Sequence, residues 1–162
     1  MNDIIIREIE PADNPIVAKL IRRVFEEYGA PREGTVYSDP ATDNLYALFR
    51  APASVFWVAT HEGAIAGCCG VYPTEGLPAG YAELVKFYLS PDARGKGIGK
   101  NLLQKCIKWA GKTGYTHLYI ESMPAFANAV RIYEKIGFQQ LDHSLGNSGH
   151  VSCDIWMLKK LD

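Results

Sequence analysis

The chain has 162 residues, of which 48% are apolar and 22% are charged, and its formal net charge is -1. This composition is typical of a globular domain, and the balanced charge gives no indication of nucleic-acid or membrane binding. The apolar stretch at 4–6 is too short for a signal peptide, and no segment approaches the roughly 18 apolar residues of a membrane span. We therefore expect a single domain, 1–162, in the cytoplasm. The four cysteines form no CxxC pair, which argues against a zinc site or a disulfide scaffold, and we expect no metal.

The first half of the chain predicts a strand, two helices and three further strands. An isoleucine-rich strand at 3–9 precedes a helix that Pro15 opens and Gly29 ends. The irregular loop at 30–43 is long for a small domain, which is typical of a functional segment. Asp43 is predicted to cap a second helix that runs to about residue 50. Strands are predicted at 54–60, 64–72 and 81–89, the first two joined by a tight turn.

The second half predicts two helices and three strands. The helices are expected from Ile98 to the glycines at 111–114 and over 125–136, and the strands at 117–122, 138–143 and 152–160. The strand–helix–strand unit at 81–122 requires parallel neighbours, whereas the hairpins on either side require antiparallel ones. The predicted fold class is α/β (α+β), with a mixed sheet that carries helices on both faces.

A glycine-rich turn separates the strand at 81–89 from the helix that follows it. Its residues are Arg94, Gly95, Lys96, Gly97, Ile98, Gly99 and Lys100. The first turn of a helix presents free backbone N–H groups, glycines let a ligand approach them, and the basic side chains add positive charge. The turn therefore predicts an anion site that suits a pyrophosphate. Its G-x-G-x-G spacing matches neither the dinucleotide-binding fingerprint nor a P-loop, and a flexible basic turn without a ligand is the competing interpretation.

Three segments of the chain, in this order, resemble the GNAT family of N-acetyltransferases. Residues 83–91 resemble the family's fourth strand, 94–99 its Arg/Gln-x-x-Gly-x-Gly/Ala motif, and 129–138 its last helix. The resemblance covers essentially the whole chain. It implies a mostly antiparallel sheet of six to seven strands that is splayed between the fourth and fifth strands, and it implies acetyl-CoA as the cofactor. It is also compatible with a homodimer.

The resemblance further implies where acetyl-CoA binds. The diphosphate would lie on the glycine-rich turn, and the pantetheine would pair with the backbone of the fourth strand. The implied cofactor-binding residues are Phe87, Tyr88, Leu89, Arg94, Gly95, Lys96, Gly97, Ile98, Gly99, Lys100, Phe126 and Tyr133. Phe126 stands seven residues before Tyr133, where the family often has asparagine, and Asn128 comes two residues late for that role.

Direct transfer of an acetyl group to an amine requires a base, stabilisation of the carbonyl oxygen and protonation of the leaving thiolate. Glu83 is the first candidate base, because its position matches a glutamate that some GNAT enzymes use and burial would raise its pKa. Strand alternation places it on an otherwise apolar face with Tyr81, Val85, Phe87 and Leu89. Glu121 at the end of the fifth strand is the second candidate, with amine binding or a solvated role as alternatives, and water could also serve as the base. By resemblance, Tyr133 lies near the sulfur and the Leu89 N–H stabilises the oxygen, although Tyr133 also suits a core position.

The acceptor site is predicted from the irregular loop, the strand ends and the last hairpin. Its candidate substrate-binding residues are Tyr28, Tyr37, Glu83, Glu121 and His150. Cys153 follows His150 closely, but no third orienting residue is identifiable, so both are interpreted as packing or pocket residues. These features predict acetyl transfer to a primary amine of a small molecule or peptide. A non-catalytic acyl-CoA sensor on the same fold and transfer of a different acyl group remain open alternatives.

Overall fold

The computed structural model describes residues 3–162 of the chain. The strands are β1 (Ile4–Glu8), β2 (Val55–His61), β3 (Ala64–Tyr72), β4 (Tyr81–Leu89), β5 (His117–Ser122), β6 (Gln139–Leu141) and β7 (Ile155–Lys160). The α-helices are α1 (Asn14–Tyr28), α2 (Leu45–Leu48), α3 (Ile98–Thr113) and α4 (Ala127–Lys135). The predicted order of strands and helices is confirmed, and the predicted strands at 64–72, 81–89 and 117–122 agree with the structure at both ends.

The strands form one seven-stranded sheet in the order β1-β2-β3-β4-β5-β7-β6. All neighbouring strands are antiparallel except β4 and β5, which are parallel. These two strands pair only where Tyr81–Glu83 faces His117–Tyr119. Beyond Glu83 the pairing stops, which leaves a gap between the second half of β4 and the second half of β5. The predicted mixed, mostly antiparallel sheet with a gap after its fourth strand is confirmed.

Helices pack on both faces of the sheet and divide the core in two. The core under α3 and α4 includes Ile98, Leu102 and Val130, and the core under α1 and α2 includes Val17, Phe25 and Leu45. The two long helices, α1 and α3, each present an apolar stripe to the core beneath them, as the helical spacing of their apolar residues predicts. Each core attaches one layer of helices to one face of the sheet, so helices lie on both sides of the gap.

A β-bulge in β4 changes which side chains share a face. The pairing of β3 with β4 shifts register between Cys68 and Gly70, and Lys86 in the opposing segment has a φ of 57°. The bulge inserts one extra residue, so the side-chain alternation is reversed after it. Val85 and Tyr88 contact the α1 core, whereas Phe87 and Leu89 contact the α3 core. The prediction that Glu83 shares a face with Phe87 and Leu89 is therefore wrong.

The segment before α2 is capped by a different aspartate from the one predicted. Asp39 accepts a hydrogen bond from the backbone N–H of Ala41 and precedes a short 3-10 helix, Pro40–Asn44. Asp43 lies inside that turn and forms an ion pair with Arg22 of α1, with 2.7 Å between Nη1 and Oδ1. The 3-10 turn begins earlier than the predicted helix, so the cap moves to the residue that precedes it.

Candidate active site

A cavity of about 290 Å³ lies where β4 and β5 separate. Its walls come from the C-terminal end of α1, the second half of β4, the end of β5, the start of α4 and the loop before β7. The predicted residues Tyr28, Glu83, Phe87, Tyr88, Leu89, Arg94, Gly95, Glu121, Phe126, Tyr133 and His150 all line it. Segments that are distant in the sequence therefore meet around one volume.

The glycine-rich turn lies at one end of this cavity and has an open backbone. Gly95 and Gly97 have φ values of 76° and 80°, a left-handed conformation that favours glycine, and neither has another atom within 4 Å of the place a Cβ would take. Gly97 immediately precedes α3, so the unpaired N–H groups of the first helical turn begin here. Lys96 and Lys100 are exposed beside them. The turn thus offers backbone donors and two exposed cationic side chains.

Gly99 has a packing role that differs from that of the two glycines before it. A Cβ at this position would lie 2.9 Å from a δ-carbon of Leu89 and 3.1 Å from the ring of Phe87. Both neighbours belong to β4, and Ile98 beside Gly99 is fully buried. Gly99 therefore lets the start of α3 lie directly against the strand that lines the cavity.

Arg94 connects the turn to α1 instead of presenting a free charge. Its guanidinium donates to both carboxylate oxygens of Glu27, at 2.6 and 2.9 Å, and to the carbonyl of Leu89 at 3.0 Å. The guanidinium carbon also lies 5.1 Å from the ring centroid of Tyr28. The hydrogen bond from Arg94 lowers the pKa of the Glu27 carboxyl. The side chain predicted to meet a phosphate thus fixes the position of the turn.

The second half of β4 presents backbone groups to the gap. The N–H of Ser90 donates to the carbonyl of Ala66 in β3 at 2.8 Å. Because successive N–H groups of a strand point to opposite edges, the N–H of Leu89 points away from β3 and towards the gap. The Leu89 carbonyl, on the same edge, accepts the hydrogen bond from Arg94.

Glu83 lines the cavity from the first half of β4, away from the glycine-rich turn, and is only 3% exposed. The hydroxyl of Thr74 donates to its carboxylate at 2.6 Å. Burial, with a smaller contribution from the charge of Glu121, raises the pKa of Glu83 to about 7, although the Thr74 hydrogen bond and the Lys86 charge oppose the shift. Glu83 is therefore divided between its acid and base forms near neutral pH. The contact with Thr74, which lies in the loop after β3, could not be predicted from local spacing.

Glu121 also lines the cavity, but two hydroxyl groups already hold it. Tyr119 donates to one carboxylate oxygen at 2.8 Å, and Ser148 donates to the other. Nearby, a ring nitrogen of His150 lies 3.0 Å from a carboxylate oxygen of Asp39. Burial raises the pKa of the Cys153 thiol to about 12, so the thiolate needed for a nucleophilic cysteine is not formed near neutral pH.

Tyr133 of α4 lines the cavity and is 6% exposed. Its ring packs against Phe87 and Phe138, with 5.9 Å between centroids in each case. Burial raises its pKa well above the usual value, so the phenol keeps its proton. Tyr133 thus combines the core position and the cavity position that the sequence left as alternatives.

The aromatic residues predicted for the acceptor site separate into two groups. Tyr28 and Phe126 line the cavity and pack edge to face, with ring centroids 5.9 Å apart. Tyr37 lies outside the cavity wall, where its hydroxyl donates to Glu26 at 2.7 Å and Arg32 lies over its ring at 4.7 Å. The loop after α1 folds Tyr37 back onto that helix, which removes it from the site.

Residues 19–138 match the acetyltransferase (GNAT) family. The chain belongs to the GNAT family of acetyltransferases. One relative in that family is the uncharacterized N-acetyltransferase YjgM of Escherichia coli (strain K12), which is 35% identical to this chain over 158 residues. The alignment covers 97% of this chain and 95% of the relative. The resemblance that the three sequence segments indicated is confirmed, and with it an acyltransferase family.

Solved GNAT structures have the same fold as this chain. The acetyltransferase of Staphylococcus aureus Mu50 superimposes with a TM-score of 0.83 at 19% identity, over 98% of this chain and 99% of the other. The PaiA N-acetyltransferase of Thermoplasma acidophilum, solved in complex with coenzyme A, has a TM-score of 0.78 at 23% identity, over 98% and 99% of the two chains. None of the helices within residues 3–162 has the length and hydropathy of a membrane span.

Lys86 is a residue of the cavity wall that the sequence did not indicate. Lys86 lines the cavity, and burial lowers the pKa of its amine, while the charges of Glu83 and Asp39 oppose that shift. A strict alternation of side chains would have placed Lys86 in the apolar core under α3. A lysine at such a position is a signal of a bulge, and it could have been read from the sequence.

Proposed function

We propose that this GNAT protein transfers the acetyl group of acetyl-CoA directly to the primary amine of a small molecule or peptide, as a single domain in the cytoplasm. The observation that carries the proposal is the gap between β4 and β5. It joins an open anion-binding turn at one end to a buried carboxyl with a pKa of about 7 at the other. A donor with a pyrophosphate and an acceptor with a proton to lose would meet between them.

The residues of the donor side fit acetyl-CoA. The backbone of 95–100 would hold the pyrophosphate, with Lys96 and Lys100 beside it. The edge of β4 from Phe87 to Leu89 would pair with the amides of the pantetheine, and Phe126 and Tyr133 would enclose its thioester end. The Thermoplasma neighbour, which contains coenzyme A, has the same fold. Arg94 would act indirectly, by holding the turn against Glu27.

The residues of the acceptor side supply the proton chemistry. Glu83 would accept the proton of the amine as the new N–C bond forms, because its pKa lies near the working pH. The N–H of Leu89 would donate to the carbonyl oxygen as negative charge develops there. Tyr133 would give its proton to the sulfur as the C–S bond breaks, which leaves free thiol as the product, and the phenolate would at once take a proton back from solvent because its pKa is raised. Glu121 is the weaker candidate base, since two hydroxyl groups already occupy its carboxylate.

Release of free thiol from acetyl-CoA with a panel of primary amines tests this proposal. We expect turnover with at least one class of amine. Tyr133→Phe should lower kcat by roughly 10- to 100-fold, because the substitution removes one proton donor, and it should leave the Kd for coenzyme A nearly unchanged. Phe138→Leu is a matched control, because it alters the packing around Tyr133 but leaves the hydroxyl in place. Binding of acetyl-CoA without turnover on any amine would instead support the sensor alternative.

A further inference from the structure

Lys86 is a buried lysine in the cavity wall that forms no close ion pair with the residues that the structure describes. It is 8% exposed, and none of the ion pairs within residues 3–162 involves it. Its amine lies 6.0 Å from the ring centroid of Phe49, and the charges of Glu83 and Asp39 act on it from beyond ion-pair distance. An unpaired buried cation lowers the stability of the fold. A ligand that brings a negative charge to the cavity would remove this cost.

The backbone of β4 is strained at the residue that carries this amine. Lys86 has a φ of 57°, which is uncommon for a residue with a side chain. The bulge directs Lys86 to the same side of the sheet as Val85 and away from the apolar core under α3. Backbone strain that surrounding structure maintains is concentrated at binding and catalytic sites. The bulge therefore has a direct effect on the cavity, because it adds a positive charge to the wall.

The other charged groups of the wall already have partners. Arg94 is bound to Glu27, and His150 is bound to Asp39. Glu83 and Glu121 accept hydrogen bonds from hydroxyl groups. Within the part of the chain that the structure describes, Lys86 is thus the one positive group of the cavity wall that an incoming anion would find unpaired.

Lys86 and Glu83 both line the cavity, and together they suit a ligand that carries an amine close to a carboxylate. The two residues lie three positions apart on one strand, and their Cα atoms are separated by roughly 7–10 Å at about 3.3 Å per residue, with the bulge shortening the step. An amino acid carries its amine and its carboxylate on one carbon, so a hydrogen bond of about 3 Å on each side lets it reach both side chains at once. The remaining wall is apolar and includes Val24, Phe25, Val36, Met123 and Phe126.

We propose that Lys86 binds the carboxylate of the acceptor, and that the acceptors are free amino acids with apolar side chains whose amine faces Glu83. This inference rests on the proposed function and narrows its acceptor class. The apolar wall receives the side chain, Lys86 receives the carboxylate, and Glu83 receives the proton of the amine. A peptide acceptor with an apolar first residue would place a neutral amide beside Lys86, so it would bind less well than the free amino acid.

The test compares L-phenylalanine with phenethylamine, which has the same ring and amine but no carboxylate. We expect kcat/KM of the wild-type protein to favour phenylalanine by at least tenfold. Lys86→Met should lower that preference by about 10- to 100-fold, mainly through KM for phenylalanine, because a charged hydrogen bond is lost. Lys86→Arg should restore part of the preference. Lys112→Met, at an exposed position of α3, is the control and should leave the preference unchanged.

Different outcomes separate this inference from the proposed function. Equal use of the two amines by the wild-type protein, or an equal loss on both in Lys86→Met, would overturn the role of Lys86 while N-acetyl transfer stands. If neither amine releases thiol, the proposed acceptor chemistry fails, and calorimetry with phenylalanine then decides the binding role. Binding that Lys86→Met abolishes supports the carboxylate site, and no binding overturns it. Thermal melting of each variant confirms that it folds.

Discussion

At the scale of single residues, three groups act on the proton of Glu83. Burial and the charge of Glu121 raise its pKa, and the hydroxyl of Thr74 and the amine of Lys86 lower it, with a result of about 7. A base must be deprotonated to accept a proton, so the active form of Glu83 is lost as the pH falls through this pKa. Lys86 lies in the same wall, and removal of its positive charge would raise the pKa of Glu83.

Glu83→Gln tests the assignment of the base through the pH profile. For the wild-type protein, kcat/KM should rise with pH through about 7 and then reach a plateau. The variant should lose about 100-fold or more in kcat/KM at pH 8 and should lack the inflection near pH 7, because glutamine cannot accept the proton.

Glu121→Gln is the informative comparison for this profile. It removes a negative charge that raises the pKa of Glu83, so the inflection should move to lower pH and remain visible. If Glu121→Gln abolished the inflection and Glu83→Gln preserved it, the base would be Glu121. An inflection that persists in both variants would point to water or to another group.

At the scale of elements, the glycine-rich turn depends on backbone shape, and Gly97→Ala tests this. Gly97 has a φ of 80° with nothing near its Cβ position, and Gly63 in the turn between β2 and β3 has a φ of 84° with equally open space. Alanine at either position should lower the free energy of unfolding by about 1 kcal/mol, because the left-handed conformation is strained. The Gly97 variant alone should weaken the binding of coenzyme A, by roughly tenfold.

The pair of glycine variants makes that test specific. Calorimetry gives the Kd for coenzyme A, and thermal melting gives the loss of stability. If Gly63→Ala weakens coenzyme A binding as much as Gly97→Ala does, general destabilisation explains the effect. Unchanged affinity in Gly97→Ala would remove the turn from the donor site.

The elements also show what the sequence can and cannot predict. The strands at 64–72, 81–89 and 117–122 were predicted to the residue, because turn residues bound each apolar run. The bulge at Lys86 was missed because the alternation rule assumes a regular strand. Arg94 and Tyr37 are predicted to contact ligands, but in the structure Arg94 contacts Glu27 and Tyr37 contacts Glu26, both from α1. Such contacts depend on how distant segments pack, which local spacing does not encode.

At the scale of the whole molecule, the gap leaves the sheet incomplete. Only three residue pairs join β4 to β5, so the hydrogen-bonding edge of β4 from Phe87 to Leu89 has no neighbouring strand. Two contacts between residues that are far apart in the sequence lie beside this gap. Arg94 contacts Glu27, and His150 contacts Asp39. A ligand that lies along the edge would complete the sheet and connect the two helix layers.

Binding of coenzyme A should therefore raise the stability of the whole fold. At 100 times its Kd, a ligand that binds only the folded state adds about 2.7 kcal/mol, which corresponds to a rise in Tm of roughly 5–11 °C for a chain of this size. Pantetheine at the same concentration should give a much smaller rise, because it lacks the pyrophosphate that the turn between β4 and α3 would hold.

Amide hydrogen exchange locates the origin of this stabilisation within the sheet. The N–H of Leu89 faces the gap, so acetyl-CoA should slow its exchange strongly if the pantetheine lies along β4 and the thioester carbonyl accepts from this N–H. The N–H of Ser90, one residue further, already donates to Ala66 and serves as the internal reference. Its exchange should slow only as far as the global stability rises, because its own hydrogen bond is unchanged. Equal protection at both residues would show that the ligand stabilises the fold from elsewhere, and the pairing of the pantetheine with β4 would then be wrong.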